Sequence, residues 1–392
     1  MSDRQTEEIP AALDAWLILL RAPGIGAVTL RRLLDRYGHV VAVLQALRCS
    51  AVEGASDAAR NWTRQPDTVL LDADRAWLAE SDHHLLTIDD PDFPPLLRDL
   101  ASAPVALFVA GDPNLLWQAQ VAIVGSRNAS HGGLATARGF AKTLAGSGFT
   151  ITSGLAEGID AAAHEAALDA GGSTIAVLGT GPDLVYPARH RELAARIVAN
   201  GALVSEFSPG TPGKAEHFPR RNRIIAGLAL GTLVVEAGVR SGSLITARHA
   251  LEFGREVFAI PGSIHNPLAR GCHQLIRDGA RLLETADELI ADLAPLAGEL
   301  GSRLRERLAS APEEIVSQGG SPKRTSSGSN AHRDGDYQNL LAALGHDAVG
   351  LDQLAARTGL GVPALSSMLL LLELEGEVVA AAGGSYARRS PA

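Results

Sequence analysis

The residues best suited to chemistry lie in the stretch His217–Ala247, where Arg220, Arg221, Asn222 and Arg223 occupy consecutive positions. Phe218-Pro219 closes a loop before them and the apolar run Ile224–Leu230 reads as a helix after them, so the pattern predicts a cationic first turn. Backbone N–H groups and the positive end of the helix dipole would point the same way as the guanidinium groups, which makes phosphate the natural guest. Lys214 lies just upstream on a loop. Thr232–Glu236 reads as a buried strand, and after a loop with little bulk apart from Val239 and Arg240, Ser241-Gly242-Ser243 opens a second helix. Gly125-Ser126-Arg127 and Gly154 follow two further apolar runs. In this reading Arg127, Arg220, Arg221 and Arg223 reach successive phosphates while Ser126, Ser241 and Ser243 donate hydrogen bonds. A base could stack on Phe218, favouring single strands over duplex; the same ring also suits a staple that packs the helix start onto the sheet. The competing role for the arginines is ion pairing with Glu206, Glu216 or Glu236, against which their clustering at one helix end argues.

Other chemistries have less to work with. No G-x-G-x-x-G follows Gly125, and Ile151 leads into Thr152-Ser153-Gly154 with no acid to hold a ribose, so a dinucleotide cofactor is not expected. A Walker loop is missing too. Glu157 and Asp160 read as helix-start caps and His164 as a packing or surface residue. Glu236 closes Gly231-Thr232-x-x-x-Glu236, which partly resembles the glycine-rich segment of nucleotide phosphoribohydrolases of the lysine-decarboxylase-like family. That gives an alternative: an enzyme acting on a free nucleotide, with Glu236 facing the pocket as its base. Cys49 and Cys272 make neither a disulfide framework nor a zinc site, and no cofactor or metal is expected.

The elements that must position these residues follow from the period of the chain. Its 392 residues carry 46% hydrophobic and only 4% aromatic side chains, and the net charge of −9 excludes a uniformly basic coat while permitting a local basic pocket. From His84 onward, strands expected at Val121–Val124, Phe149–Thr152, Thr174–Leu178, Leu203–Ser205, Leu233–Val235 and Val257–Ile260 alternate with helices. The expected fold is α/β, an extended Rossmann-like, doubly wound, mostly parallel sheet. Small residues at the first four strand exits, including Gly179-Thr180-Gly181 and Glu206–Gly210, suggest a shallow groove along the carboxyl edge. The expected domains are a small helical one over 1–80, the sheet over 81–300, a flexible linker over 301–335, and a winged-helix-like domain over 336–392. The turn Pro23-Gly24-Ile25-Gly26 has the form of a helix-hairpin-helix, whose amides can approach a DNA phosphate, or of a plain turn between packed helices. The third helix of the winged module carries no Lys or Arg, which favours a protein-contact or regulatory role over DNA docking. With no signal peptide and no run of membrane-spanning length, the chain is expected to be cytoplasmic with no membrane contact.

Together, Val124–Arg127 (Val-Gly-Ser-Arg), Ser153–Asp160 (Ser-Gly-Leu-Ala-x-Gly-Ile-Asp), Phe218–Gly227 (Phe-Pro-x-Arg-Asn-Arg-Ile-Ile-Ala-Gly), Ser241–Ala247 (Ser-Gly-Ser-Leu-Ile-Thr-Ala) and Arg255–Gly262 resemble the DNA-processing protein A family (DprA or Smf). The resemblance covers roughly residues 84 to 285, and the flanking domains match in kind. It implies a non-enzymatic single-strand DNA-binding protein, a homodimer, that loads the recombinase RecA onto incoming DNA in natural transformation. Carried over residue by residue, Arg127 takes the place of the phosphate-pocket arginine, and Arg221 and Arg223 those of the Arg-Asn-Arg motif. The chain departs at Ala215, where some members carry lysine, with Lys214 beside it.

Overall fold

The computed structural model describes residues 12–49 and 52–310, and beyond them parts of the segment 340–388. Residues 1–311 form one compact unit and 312–392 a second.

The order of apolar and turn residues in the first unit produces five helices followed by a strand–helix alternation. The helices are α1 (Ala12–Leu20), α2 (Ala27–Tyr37), α3 (Val40–Cys49), α4 (Asp57–Arg64) and α5 (Thr68–Leu78). Ser56 and Asp67 cap the last two with side-chain oxygens. Then come β1 (His83–Thr87), α6 (Pro95–Arg98), β2 (Ala106–Gly111), β3 (Gln120–Val124), α7 (His131–Gly146), β4 (Thr150–Ser153), α8 (Ile159–Asp169), β5 (Thr174–Val177), α9 (Arg191–Asn200), β6 (Gly201–Ser205), α10 (His217–Leu228), β7 (Gly231–Val234), α11 (Ser243–Glu252), β8 (Glu256–Ala259), α12 (Arg270–Arg277), β9 (Arg281–Leu282) and α13 (Ala286–Ser310).

The nine strands lie in the order β1-β2-β6-β5-β4-β3-β7-β8-β9, antiparallel only where β1 meets β2 and β2 meets β6. The sheet is therefore the mostly parallel, doubly wound one expected. Chain order reverses between β3 and β7, and open α/β sheets take their ligands at such a switch point. Alternate residues serve opposite faces: Val121 and Ile123 pack under α7, α8 and α13, while Ala122 and Val124 pack against α10 and α11. The N-terminal helices share a third core with the far end of the sheet, through Phe108, Ala110, Ala176, Leu178 and Leu203. Arg31 ties α2 down further by donating to the Leu100 carbonyl at 2.7 Å.

Two elements differ from the expectation. The helix bearing the arginines begins at His217 rather than at Ile224, because a proline in the first turn of a helix has no intrahelical N–H to lose. The last helix, α13, runs through Pro295 to Ser310, into the stretch expected as linker. In the second unit, β10 (Val349–Gly350), β11 (Val378–Ala381) and β12 (Ser385–Arg388) form a sheet in the order β10-β12-β11 beside a helix, Leu351–Thr358. Leu340, Leu354, Leu365, Leu369 and Val378 make its core. The Gly/Ser-rich stretch Gln318–Asp334, the wing turn Gly383-Gly384 and most of the third winged helix lie outside the described residues.

Candidate nucleic-acid interface

At the switch point the turn after β3, the loop after β7 and the start of α10 enclose a cleft of about 810 Å³. Gly125, Ser126, Arg127, Phe218, Arg221, Asn222, Ser241, Gly242 and Ser243 all line it, so most of the residues singled out from the sequence do converge on one rim. Arg240 and Tyr186 line it as well, and neither was singled out. The two cleft loops differ in the room they leave: a Cβ on Gly125 would collide with Ile159, whereas one on Gly242 would meet nothing within 4 Å.

The arginines divide into two kinds. Arg127 and Arg240 are exposed, and among the described residues neither has an ion-pair or hydrogen-bond partner. Among the described residues they are the free cations of the cleft. Arg221 is 4% exposed, and its guanidinium donates to the Gly154 carbonyl at 2.7 Å and to the Val177 carbonyl, with its Nε on Asn222 Oδ1 at 3.0 Å. Burial lowers its pKa to about 10, opposed by the nearby Asp160 carboxylate and reinforced by Arg127. Gly154 earns its glycine here, since a Cβ would collide with that guanidinium. Gly154 is thus a seat for Arg221 rather than a point of close ligand approach.

Arg220 and Arg223 do not reach the cleft at all. Both pair with Glu206 Oε2, at 2.9 and 2.5 Å, and Arg223 also donates to the Ser102 carbonyl at 2.6 Å. The expected row of phosphate contacts along 220–223 is corrected accordingly. With about 100° between successive residues of a helix, three arginines inside four positions cannot face one way. Arg220 and Arg223, three apart, share a face, and Arg221 turns to the sheet. Lys214 lies with Arg220 in a separate groove on the other side of the same segment.

The donors also differ from expectation. The first amides of α11 are already taken, Leu244 N by the Ser241 carbonyl and Ile245 N by the Gly242 carbonyl. What the loop presents is the hydroxyl pair of Ser241 and Ser243, 2.7 Å apart, and Ser126 Oγ, which accepts from Asn128 N and keeps its own proton to give. Phe218 is half-buried against Gly179, as a packing residue would be, yet still lines the cleft, and the exposed Tyr186 ring stands 5.2 Å from it.

The acids of the region serve the backbone. Asp160 Oδ2 accepts from Gly154 N at 3.1 Å and Ala156 N at 3.3 Å, and its pKa is raised by burial against the lowering pull of Arg221. Glu236, the base of the alternative enzymatic reading, lies outside the cleft. It accepts from Ser130 N at 2.8 Å, Ser130 Oγ at 2.7 Å and Asn266 Nδ2 at 3.2 Å, and a Cβ on Gly133 would strike it. This carboxylate secures the entry to α7; it does not face the pocket. His164 is fully buried with Nδ1 2.7 Å from Thr174 Oγ1, whose own proton goes to the Ile151 carbonyl, so Nδ1 carries the hydrogen. Burial first, then Arg221 and His190, lowers its pKa to about 3.

Comparison with known proteins agrees with the fold. A family model described as DNA recombination-mediator protein A matches residues 84–294, one for a DprA winged helix domain residues 324–384, and one for a DprA-like N-terminal HHH domain residues 11–64. Protein Smf of Escherichia coli is 44% identical over 322 residues, covering 80% of each chain. DNA processing protein DprA of Streptococcus pneumoniae is 48% identical over 208 residues, 53% of this chain and 73% of that one. The X-ray structure of the pneumococcal DprA superposes with a TM-score of 0.64 at 37% identity, covering 71% of this chain and 97% of that chain.

Proposed function

The chain belongs to the DNA recombination-mediator protein A family, and from that premise we propose that the cleft at the sheet's switch point binds single-stranded DNA without chemical turnover. The observation that carries the reading is the pair of unpartnered guanidinium groups, Arg127 and Arg240, set across a cleft that also holds Ser126, Ser241 and Ser243. Cations with no partner among the described residues invite phosphates, and each phosphate bound releases a counterion. Tyr186 beside Phe218 supplies an aromatic edge for an unpaired base, which duplex DNA withholds. Asp160, the one carboxylate lining the cleft among the described residues, is occupied with backbone amides, which leaves the cleft without a free base.

In the same proposal the protein acts as a cytoplasmic homodimer that passes the bound strand to RecA during natural transformation. The residues assigned to the strand are Arg127, Arg240, Ser126, Ser241, Ser243, Phe218 and Tyr186, with Gly125 letting the turn after β3 pack against Ile159 and Gly242 leaving its own loop open. Anisotropy titrations of a labelled oligothymidylate and a matched duplex over a range of salt test the cleft. Single strands should be preferred, and Arg127→Ala and Arg240→Ala should each weaken binding and lower the salt slope by about one. Wild-type binding in the double variant would refute the assignment. Light scattering and RecA filament nucleation on coated single strands test the dimer and the hand-over.

A further inference from the structure

A second groove, of about 360 Å³, runs between the N-terminal helices and the exit of β6. Its floor is apolar. Leu20, Ile25, Trp62, Leu70, Val105 and Phe207 line it, reaching it from α1, the turn before α2, α4, α5 and the chain flanking β2 and β6. Leu70 keeps 39% of its surface, and Leu20, Trp62 and Phe207 are only half-buried. The polar groups among them are spent within the protein. Trp62 Nε1 donates to the Ile18 carbonyl at 2.8 Å, and Arg21 donates to Asp74 at 2.6 Å and to the Pro209 carbonyl at 2.7 Å. The floor therefore offers a visitor apolar area rather than hydrogen bonds. The rim is cationic. Lys214 is exposed and has no partner among the described residues. Arg220 lies over the Phe207 ring, 5.4 Å from its centroid, and shares Glu206 with Arg223, so two guanidinium groups answer the single carboxylate that lines the groove among the described residues. Lys214, His217 and Arg220, spaced by three, all turn to this side, while Phe218 and Asn222 turn to the cleft.

We propose that this groove docks a peptide segment of a partner protein in which aspartates or glutamates adjoin bulky apolar side chains. Apolar side chains would cover the floor, and the carboxylates beside them would meet Lys214 and Arg220 at the rim. A basic segment would meet a rim of its own sign. A nucleic-acid strand is served less well, because each phosphate wants a cation and Lys214 is the one unshared cation lining the groove among the described residues. The surface stands apart from the cleft, so the proposal holds whether or not the cleft binds single strands.

Anisotropy of three labelled hexapeptides, titrated with the full-length protein, tests the docking site. The first peptide joins three aspartates to Leu, Ile and Phe, the second replaces the aspartates with lysines, and the third keeps the aspartates beside three alanines. Wild type should bind the first saturably and the other two about tenfold more weakly or worse. Lys214 and Leu70 are both exposed, so Lys214→Glu and Leu70→Glu should keep the melting temperature and each lower affinity for the first peptide about tenfold. Arg127→Ala, in the cleft, should leave that affinity unchanged. No saturable binding of the first peptide, or equal binding of the first and second, would overturn the proposal. Loss of the first peptide in Arg127→Ala but not in Lys214→Glu would overturn it too, by seating the peptide in the cleft. Displacement of the peptide by oligothymidylate in the Arg127→Ala, Arg240→Ala double variant would give the groove to a nucleic-acid strand instead. Failure of wild type to bind any single strand would leave the peptide result standing and remove only the reading of the cleft.

Discussion

A buried cation and an exposed one can look alike in a sequence and behave oppositely when removed. Arg221 is surrounded by carbonyl oxygens and faces Asp160, so Arg221→Ala leaves those acceptors and a buried carboxylate without their counterpart. We expect a loss of about 3–5 kcal/mol in urea unfolding for Arg221→Ala, against less than about 0.5 kcal/mol for the exposed Arg127→Ala. His164 gives a pH signature. Its folded pKa near 3 lies below the ordinary 6.5, so over that interval the unfolded chain binds a proton the folded one refuses. Its contribution is complete above about pH 6.5 and is lost as pH falls toward 3, by up to about 1.4 kcal/mol per unit. Asp160, with its raised pKa, works in the opposite sense, because the folded state retains a proton there that the unfolded chain releases. His164→Asn should flatten the acid limb of a plot of stability against pH relative to wild type. Arg127 was legible in the sequence because its Gly-Ser-Arg turn is local to one strand exit. The pairing of Arg220 and Arg223 was not, since Glu206 arrives from a different strand end.

At the scale of elements, the alternation of apolar runs made the strands and most helices readable, because parallel strands buried on both faces announce themselves by composition. The start of α10 was missed for a physical reason: Pro219 reads as a stop, yet three residues into a helix it costs no hydrogen bond. That shift of a turn decides which arginine faces which groove. Glu236 belongs to this scale too, as a brace between β7 and the first turn of α7 through Ser130. Glu236→Gln should lower stability by about 1–3 kcal/mol, by weakening charge-assisted bonds, and leave strand binding unchanged. Loss of binding with full stability would contradict the bracing role.

For the molecule as a whole, the sequence suggested a helical domain followed by a sheet domain, and the contacts join α1–α5 to the sheet in one compact unit. A chain ending at Ser310 should therefore unfold in a single transition, with the tryptophan signal, three of whose four sources (Trp16, Trp62 and Trp77) lie in the leading helices, and the far-ultraviolet signal coinciding. Two separated transitions would show the helices to be independent. The shared core has a further meaning for the surface it hides. Phe108, Ala110, Ala176, Leu178 and Leu203 would be wetted if the leading helices were trimmed away. A shortened protein of this kind would have to clothe that oily shoulder with other residues or clump.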